Sequence, residues 1–170
     1  MHFVLALSAV ILLVACTTEE APSAETESQE ISESDLSVGG QPSDGDIAAL
    51  AAAGYRTVVN LRSFEEGDLD AERASVRQAG MTYVAIPFRS AKLLQDAHFD
   101  LGRQWLRDDT ARPLYMHCAS GNRVGALYIA FRVLDEGADF DQAVAEARSM
   151  GLRSDELVVR AKDYVSRHQR

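Results

Sequence analysis

Between residues 117 and 128 the chain reads HCASGNRVGALY. A thiol, Cys118, and a guanidinium, Arg123, stand at the two ends of a six-residue turn that contains Gly121. The stretch LYMH before the turn reads as a strand and the run from Val124 as a helix. At such a junction successive backbone N–H groups can point inward as a nest, and the helix adds its positive end. The loop Ala119, Ser120, Gly121, Asn122 is therefore predicted to seat an oxyanion. Gly121 permits the tight curl, and Arg123 can close the ring as a bidentate partner. The same field favours loss of the thiol proton and makes Cys118 a nucleophile. His117 can orient the loop through its ring, or be satisfied by backbone at the strand end. Ser120 can offer the sulfur a hydrogen bond. The bland alternative for Cys118 is a buried structural cysteine.

The elements around the turn must hold it in place. Val38 to Pro42 predicts a short edge strand, and Ser43 an N-cap for a helix that stops at Gly54. TVVNL (57–61) predicts a buried strand followed by the polar loop RSFEEGD. A helix over 69–79, a strand over 81–87, a helix over about 97–107, the strand 114–117 and a helix over 124–135 follow. DFDQAVAEARSMG and SDELVVRAKDYVSR predict two closing helices. Alternation of apolar strands with helices predicts an α/β fold: a three-layer sandwich with a central, mainly parallel sheet of four to five strands and helices on both faces. Ligands in such sheets bind at the carboxyl ends of the strands, where CASGNR falls. Asn60, Arg62 and Ser63 follow another strand end, so Asn60 and Arg62 are candidate supports of the same cleft, Arg62 as a second anion contact or a solvated loop cation.

Length and composition bound the rest. The 170 residues are 46% apolar and 25% charged, which suits one globular domain behind a leader. MHFVLALSAVILLVAC is shorter than a membrane span and ends in Leu13-Val14-Ala15-Cys16, similar to the lipobox of bacterial lipoproteins. Residues 1–15 are thus expected to be a signal peptide and Cys16 the lipidated N-terminus. Residues 17–37 carry seven acids and no base, and the predicted tether covers residues 16–37. The formal charge is −9; without that run, 19 acids face 17 bases, a balance of −2 that gives no reason to expect nucleic acid. The folded domain is expected over 38–170, anchored by lipid in a bacterial envelope. Thr17, where some lipoproteins carry an aspartate that retains them in the inner membrane, favours the outer membrane. Cys118 is then an unpaired thiol in an exported domain, where such thiols are unusual. His98 and His168 lack partners at metal-ligand spacing, so no metal or other cofactor is predicted. Trp105 falls at helical spacing with Phe99, Leu101 and Leu106 and is expected in the core.

Through VGGQPSDGDIAALAAAGYRTVVNLRS, TYVAIP and HCASGNRVGAL, residues 38–151 resemble the bacterial beta-lactamase-hydrolase-like phosphatase domains, relatives of the dual-specificity and tyrosine phosphatases. The resemblance implies that Cys118 attacks phosphorus in a phosphorylated protein or small molecule, that Arg123 binds the phosphoryl oxygens, and that an aspartate elsewhere protonates the leaving oxygen. It also includes Gln41 of GGQP, for which turn-capping would suffice. The chain departs from the phosphatase pattern in three places. Four residues rather than five separate cysteine from arginine, Val124 replaces the usual hydroxyl residue, and Arg89-Ser90 stands near where the acid is often found. Asp96 and Asp100 are candidate substitutes. Four intervening residues also resemble the active loop of many rhodaneses, so sulfur transfer through a Cys118 persulfide is the alternative reading. A non-catalytic binder of phosphorylated or sulfated ligands is the third.

Overall fold

A computed structural model describes residues 35–169. The expected signal peptide, the lipidation site Cys16 and most of the tether lie outside the described residues. In chain order the elements are β1 (Leu36–Gly39), α1 (Asp44–Ala52), β2 (Thr57–Asn60), α2 (Leu69–Gln78), β3 (Thr82–Ala85), α3 (Asp96–Arg107), β4 (Leu114–His117), α4 (Asn122–Leu134), α5 (Phe140–Ser149) and α6 (Asp155–His168). Short 3-10 turns occupy Phe64–Glu66, Ala91–Leu93 and Asp109–Ala111. Among the described residues, no helix is long and apolar enough to cross a membrane.

The four strands pair in the order β1-β4-β2-β3, all parallel. Alternation within each strand separates two cores. Val59, Leu114 and Met116 face one side, where α3 to α6 supply Phe99, Leu106, Leu127, Ala147 and Tyr164. Val58 and Tyr83 face the other, against Ile47 of α1 and Val76 of α2. The result is the three-layer α/β sandwich that the sequence predicts, with four strands. One boundary moves: β1 starts at Leu36, not Val38, because Leu36 and Ser37 pair with Leu114 and Tyr115 and Leu36 packs on the core. Gly40 to Pro42 leave the sheet, apart from a single bridge of Gly40 to Ser120.

The parallel arrangement brings all four strand-end loops to one edge. Register sets Gly39 beside His117, and Asn60 beside both His117 and Ala85. Helix α4 runs from this edge through the larger core, with Val124, Ala126, Leu127, Ile129 and Ala130 all buried. Its Gly125 lets the turn between α5 and α6 approach closely, since a Cβ there would stand 2.6 Å from Cβ of Leu152. Gly125→Ala is therefore expected to destabilise the fold by about 1–3 kcal/mol through overpacking, read from the midpoint of urea unfolding. An unchanged midpoint would show that the α5–α6 turn is not fixed against α4.

Candidate active site

Cys118 follows β4 directly and is 1% exposed, with Ala119 and Ser120 exposed beyond it. Gly121 is the N-cap of α4 and has φ +81°, the left-handed region where glycine alone is comfortable. A Cβ at Gly121 would also press to 3.1 Å from the Met150 carbonyl oxygen. No side chain caps the start of α4, so its first N–H groups face the loop without a side-chain acceptor. Asn122 contributes backbone only. Its Oδ1 accepts from Arg153 N at 2.8 Å and Ser154 N at 3.1 Å, which ties the loop to the start of α6.

Arg123 is buried and gripped by Glu66. Nη1 and Nη2 donate to the two carboxylate oxygens, each at 2.6 Å, and Nη1 donates also to the carbonyls of Phe88 at 2.7 Å and Leu61 at 3.3 Å. The guanidinium has five N–H donors in one plane. The carboxylate takes the end-on fork and the Cys118 side chain is a further hydrogen-bond partner of the guanidinium, whose Nε donates to no protein oxygen or nitrogen among the described residues. Burial works against the Arg123 charge, but the Glu66 hydrogen bonds and the nearby Cys118 sulfur outweigh it and raise its pKa. Glu66 in turn is held down to about 2, chiefly by its hydrogen bonds with Arg123, against the pull of burial. Ser63 adds donors from its backbone N at 2.8 Å and Oγ at 3.1 Å.

On the opposite side of the sheet edge a second carboxylate, Glu72, is only 5% exposed. It accepts from His117 Nε2 at 2.8 Å, Gln41 Nε2 at 2.8 Å and Asn60 Nδ2 at 3.0 Å, with Arg62 Nη1 at 3.7 Å. Burial alone would raise the Glu72 pKa; the His117 and Gln41 hydrogen bonds and the field of Arg62 hold it below the usual carboxylate range. Asn60 is fully enclosed, donating also to Tyr83 Oη at 3.0 Å and accepting from Arg62 N at 2.7 Å. Arg62 and Asn60 are thus struts that support the loop from beneath, and the Arg62 guanidinium, expected as a second anion contact or a solvated cation, donates to Gln41 Oε1 and the Glu66 carbonyl. His117 likewise faces inward, with Nδ1 at 3.3 Å from the Cys118 carbonyl oxygen.

The two acid candidates point elsewhere. Asp96 pairs with Arg167 at 2.5 Å, and Asp100 accepts from the Tyr164 hydroxyl at 2.5 Å, both partners lying on α6. The residues missed in the sequence are Glu66 and Glu72, and both left a signal. Ser63-x-x-Glu66 has capping-box spacing. Glu72 sits with Leu69 and Val76 at the spacing of a core-facing helix stripe, where a carboxylate must find partners.

Comparison with known proteins follows the same line. Residues 10–167 match the family described as DSP-PTPase phosphatase fused to NAD+ kinase. The Beta-lactamase hydrolase-like protein of Xylella fastidiosa (strain Temecula1) is 30% identical over 121 residues, covering 68% of this chain and 27% of that protein. The protein of the same name from Agrobacterium fabrum is 30% identical over 105 residues, 59% of this chain and 24% of its own length. The chain therefore spans about a quarter of the length of these curated relatives. A DUF442 protein of Shewanella putrefaciens CN-32 shares the fold at TM-score 0.65 and 19% identity, covering 80% of this chain and 89% of that one. A cysteine-to-serine variant of P. aeruginosa TpbA in complex with phosphotyrosine aligns at TM-score 0.58 and 26% identity, covering 76% of this chain and 78% of that one.

The grip of Glu66 on Arg123 has a pH signature. The folded carboxyl titrates at about 2 against 4.5 for the free side chain. Its contribution is fully present above that free value and is lost as pH falls from 4.5 toward 2. Glu66→Gln is expected to cost roughly 1–3 kcal/mol at pH 6, read by urea unfolding, because a buried guanidinium loses its charged partner. At pH 2.5 the variant and the unaltered protein should differ far less. An equal gap at both pH values would show that the ion pair is not what the substitution removed.

Proposed function

The chain belongs to the family of DSP-PTPase phosphatase fused to NAD+ kinase, and we propose on that premise that it hydrolyses phosphomonoesters through a cysteinyl-phosphate intermediate. The observation that carries the reading is the Arg123 guanidinium hydrogen-bonded beside Cys118, held in place by Glu66 with its Nε–H bound to no protein oxygen or nitrogen among the described residues. A phosphoryl group seated on the loop would receive the Nε–H of Arg123 and the N–H groups at the start of α4. The Cys118 thiolate attacks phosphorus: the S–P bond forms, the P–O bond to the leaving group breaks, and that oxygen departs with the electron pair. Water then attacks phosphorus, the S–P bond breaks, and inorganic phosphate and the thiolate are released.

The carboxyls flanking the loop, Glu66 and Glu72, are held ionised and hydrogen-bonded, which suits anchors rather than proton donors. The reading therefore favours substrates whose leaving oxygen needs little help, such as the phenolic oxygen of phosphotyrosine; the TpbA variant bound to phosphotyrosine supports that class. Sulfur transfer, suggested by the four-residue spacing, becomes an outcome of the test. The lipobox-like Leu13-Val14-Ala15-Cys16 supports placing the domain at a bacterial envelope membrane through lipid on Cys16, with the acidic run as tether and the outer membrane favoured by Thr17.

Turnover of an aryl phosphate is expected, with rates that fall steeply as the leaving phenol becomes more basic. Cys118→Ser should abolish it. Arg123→Lys should reduce kcat by roughly a hundredfold or more although the charge is kept, because an ammonium cannot fork onto Glu66 and also offer phosphate an in-plane N–H. Near-normal turnover in either variant would sink the proposal.

A further inference from the structure

The proposed chemistry uses the loop and leaves unused a groove of about 560 Å³ whose walls are both tied to it. One wall is the 3-10 turn after β3, with Ala91 and Lys92; the other is the start of α6, with Asp155, Glu156, Val159 and Arg160. We infer that this groove docks the polypeptide that carries the phosphate, by taking a bulky apolar side chain a few residues from the phosphorylated one. This rests on the proposed phosphatase activity and narrows its substrates to phosphorylated proteins with such a residue nearby.

The two residues that begin α4 position the two walls. Asn122 Oδ1 accepts from Arg153 N at 2.8 Å and Ser154 N at 3.1 Å, and Ser154 is the N-cap of α6. Arg123 Nη1 donates to the carbonyl of Phe88 at 2.7 Å, in the segment that leads into Ala91. Arg160 Nη2 then joins one wall to the other by donating to the Leu94 carbonyl at 2.6 Å. Of the four large apolar side chains exposed among the described residues, two stand on these walls. Val159 is 64% exposed on α6, and Leu93 is 54% exposed in the 3-10 turn. Apolar surface left open next to a polar cleft marks a docking surface. The charges of the groove cancel, Lys92 and Arg160 against Asp155 and Glu156, so it selects by apolar contact and gives no advantage to an acidic peptide or a nucleic acid. From Ser154 to Val159 the helix rises roughly 8 Å, which an extended chain covers in about two to three residues. The docked side chain is therefore expected about two to four positions from the phosphotyrosine.

The test is a set of phosphotyrosyl peptides of one polar background, with a single Leu moved through about four positions on either side and a peptide without Leu as reference. Kd is measured by fluorescence anisotropy on the full-length Cys118→Ser protein. On the protein with Cys118 intact, kcat/KM is measured by phosphate release, beside turnover of an aryl phosphate. Leu at about two to four positions, on one side only, is expected to tighten Kd and raise kcat/KM about tenfold over the reference. Val159→Asp should erase that preference while aryl phosphate turnover stays within about twofold, and Leu93→Asp should do the same from the opposite wall. A flat profile across the Leu series, or a preference that persists in both variants, overturns the inference. So does a dimer that Val159→Asp converts to a monomer by light scattering, because the groove would then belong to a second copy of the chain. Absence of aryl phosphate turnover in the unaltered protein would instead defeat the phosphatase chemistry, and the Kd series would still decide the role of the groove.

Discussion

A buried ionised carboxylate is tolerated only when donors surround it, and this protein places one, Glu72, beneath the Cys118 loop with a second, half-buried carboxylate, Glu66, beside it. Glu66 and Glu72 belong to the single segment that follows β2, yet they hold opposite ends of HCASGNR. Glu72 takes His117 at the entrance and Glu66 takes Arg123 at the exit. Each bond joins the segment that follows β2 to the β4–α4 junction, so the parallel register of β2 with β4 is a precondition for both. Slipping that register by one residue would turn Asn60 and His117 to the wrong face and leave Glu72 unpaired. The loop is held by charges from beneath, which leaves its upper surface free for an anion.

The same arrangement gives a reason for the tight spacing between Cys118 and Arg123. The helix starts at Asn122, and Gly121 turns the chain into it with a positive φ. Arg123 therefore sits in the first turn of α4, where its side chain can pass under the loop to Phe88 and Glu66 rather than over it. The Asn122 side chain is free to secure the α5–α6 turn, and Gly125 lets that turn close on α4. An anion seat of the proposed kind would be preorganised, since its donors are fixed before any ligand arrives.

Much of this was legible in the sequence because it depends on local rules. The strand at 114–117, the turn at Gly121 and the helix beyond it follow from apolar run, glycine and periodicity, and the family resemblance built on them agrees with the family match. What stayed hidden was pairing. Arg62 and Asn60 read as cleft residues because they follow a strand end, and only the tertiary fold shows them closing on Glu72 instead. The start of β1 at Leu36 was hidden for a similar reason: Leu36 and Ser37 end an acidic stretch, and their strand character comes from β4 beside them rather than from their own composition. Glu72 itself was visible only as a charge on an apolar helix stripe.

The proposed chemistry turns on what Cys118 would carry in mid-reaction. The most direct measurement is the intact mass of the full-length protein, quenched in acid during turnover of an aryl phosphate and, separately, after thiosulfate, with the adduct mapped to its peptide. A phosphoryl group on the Cys118 peptide, absent in Arg123→Lys, is the expected result. One added sulfur atom on that peptide after thiosulfate, with no phosphoryl adduct under any substrate, would contradict it and make the loop a sulfur carrier.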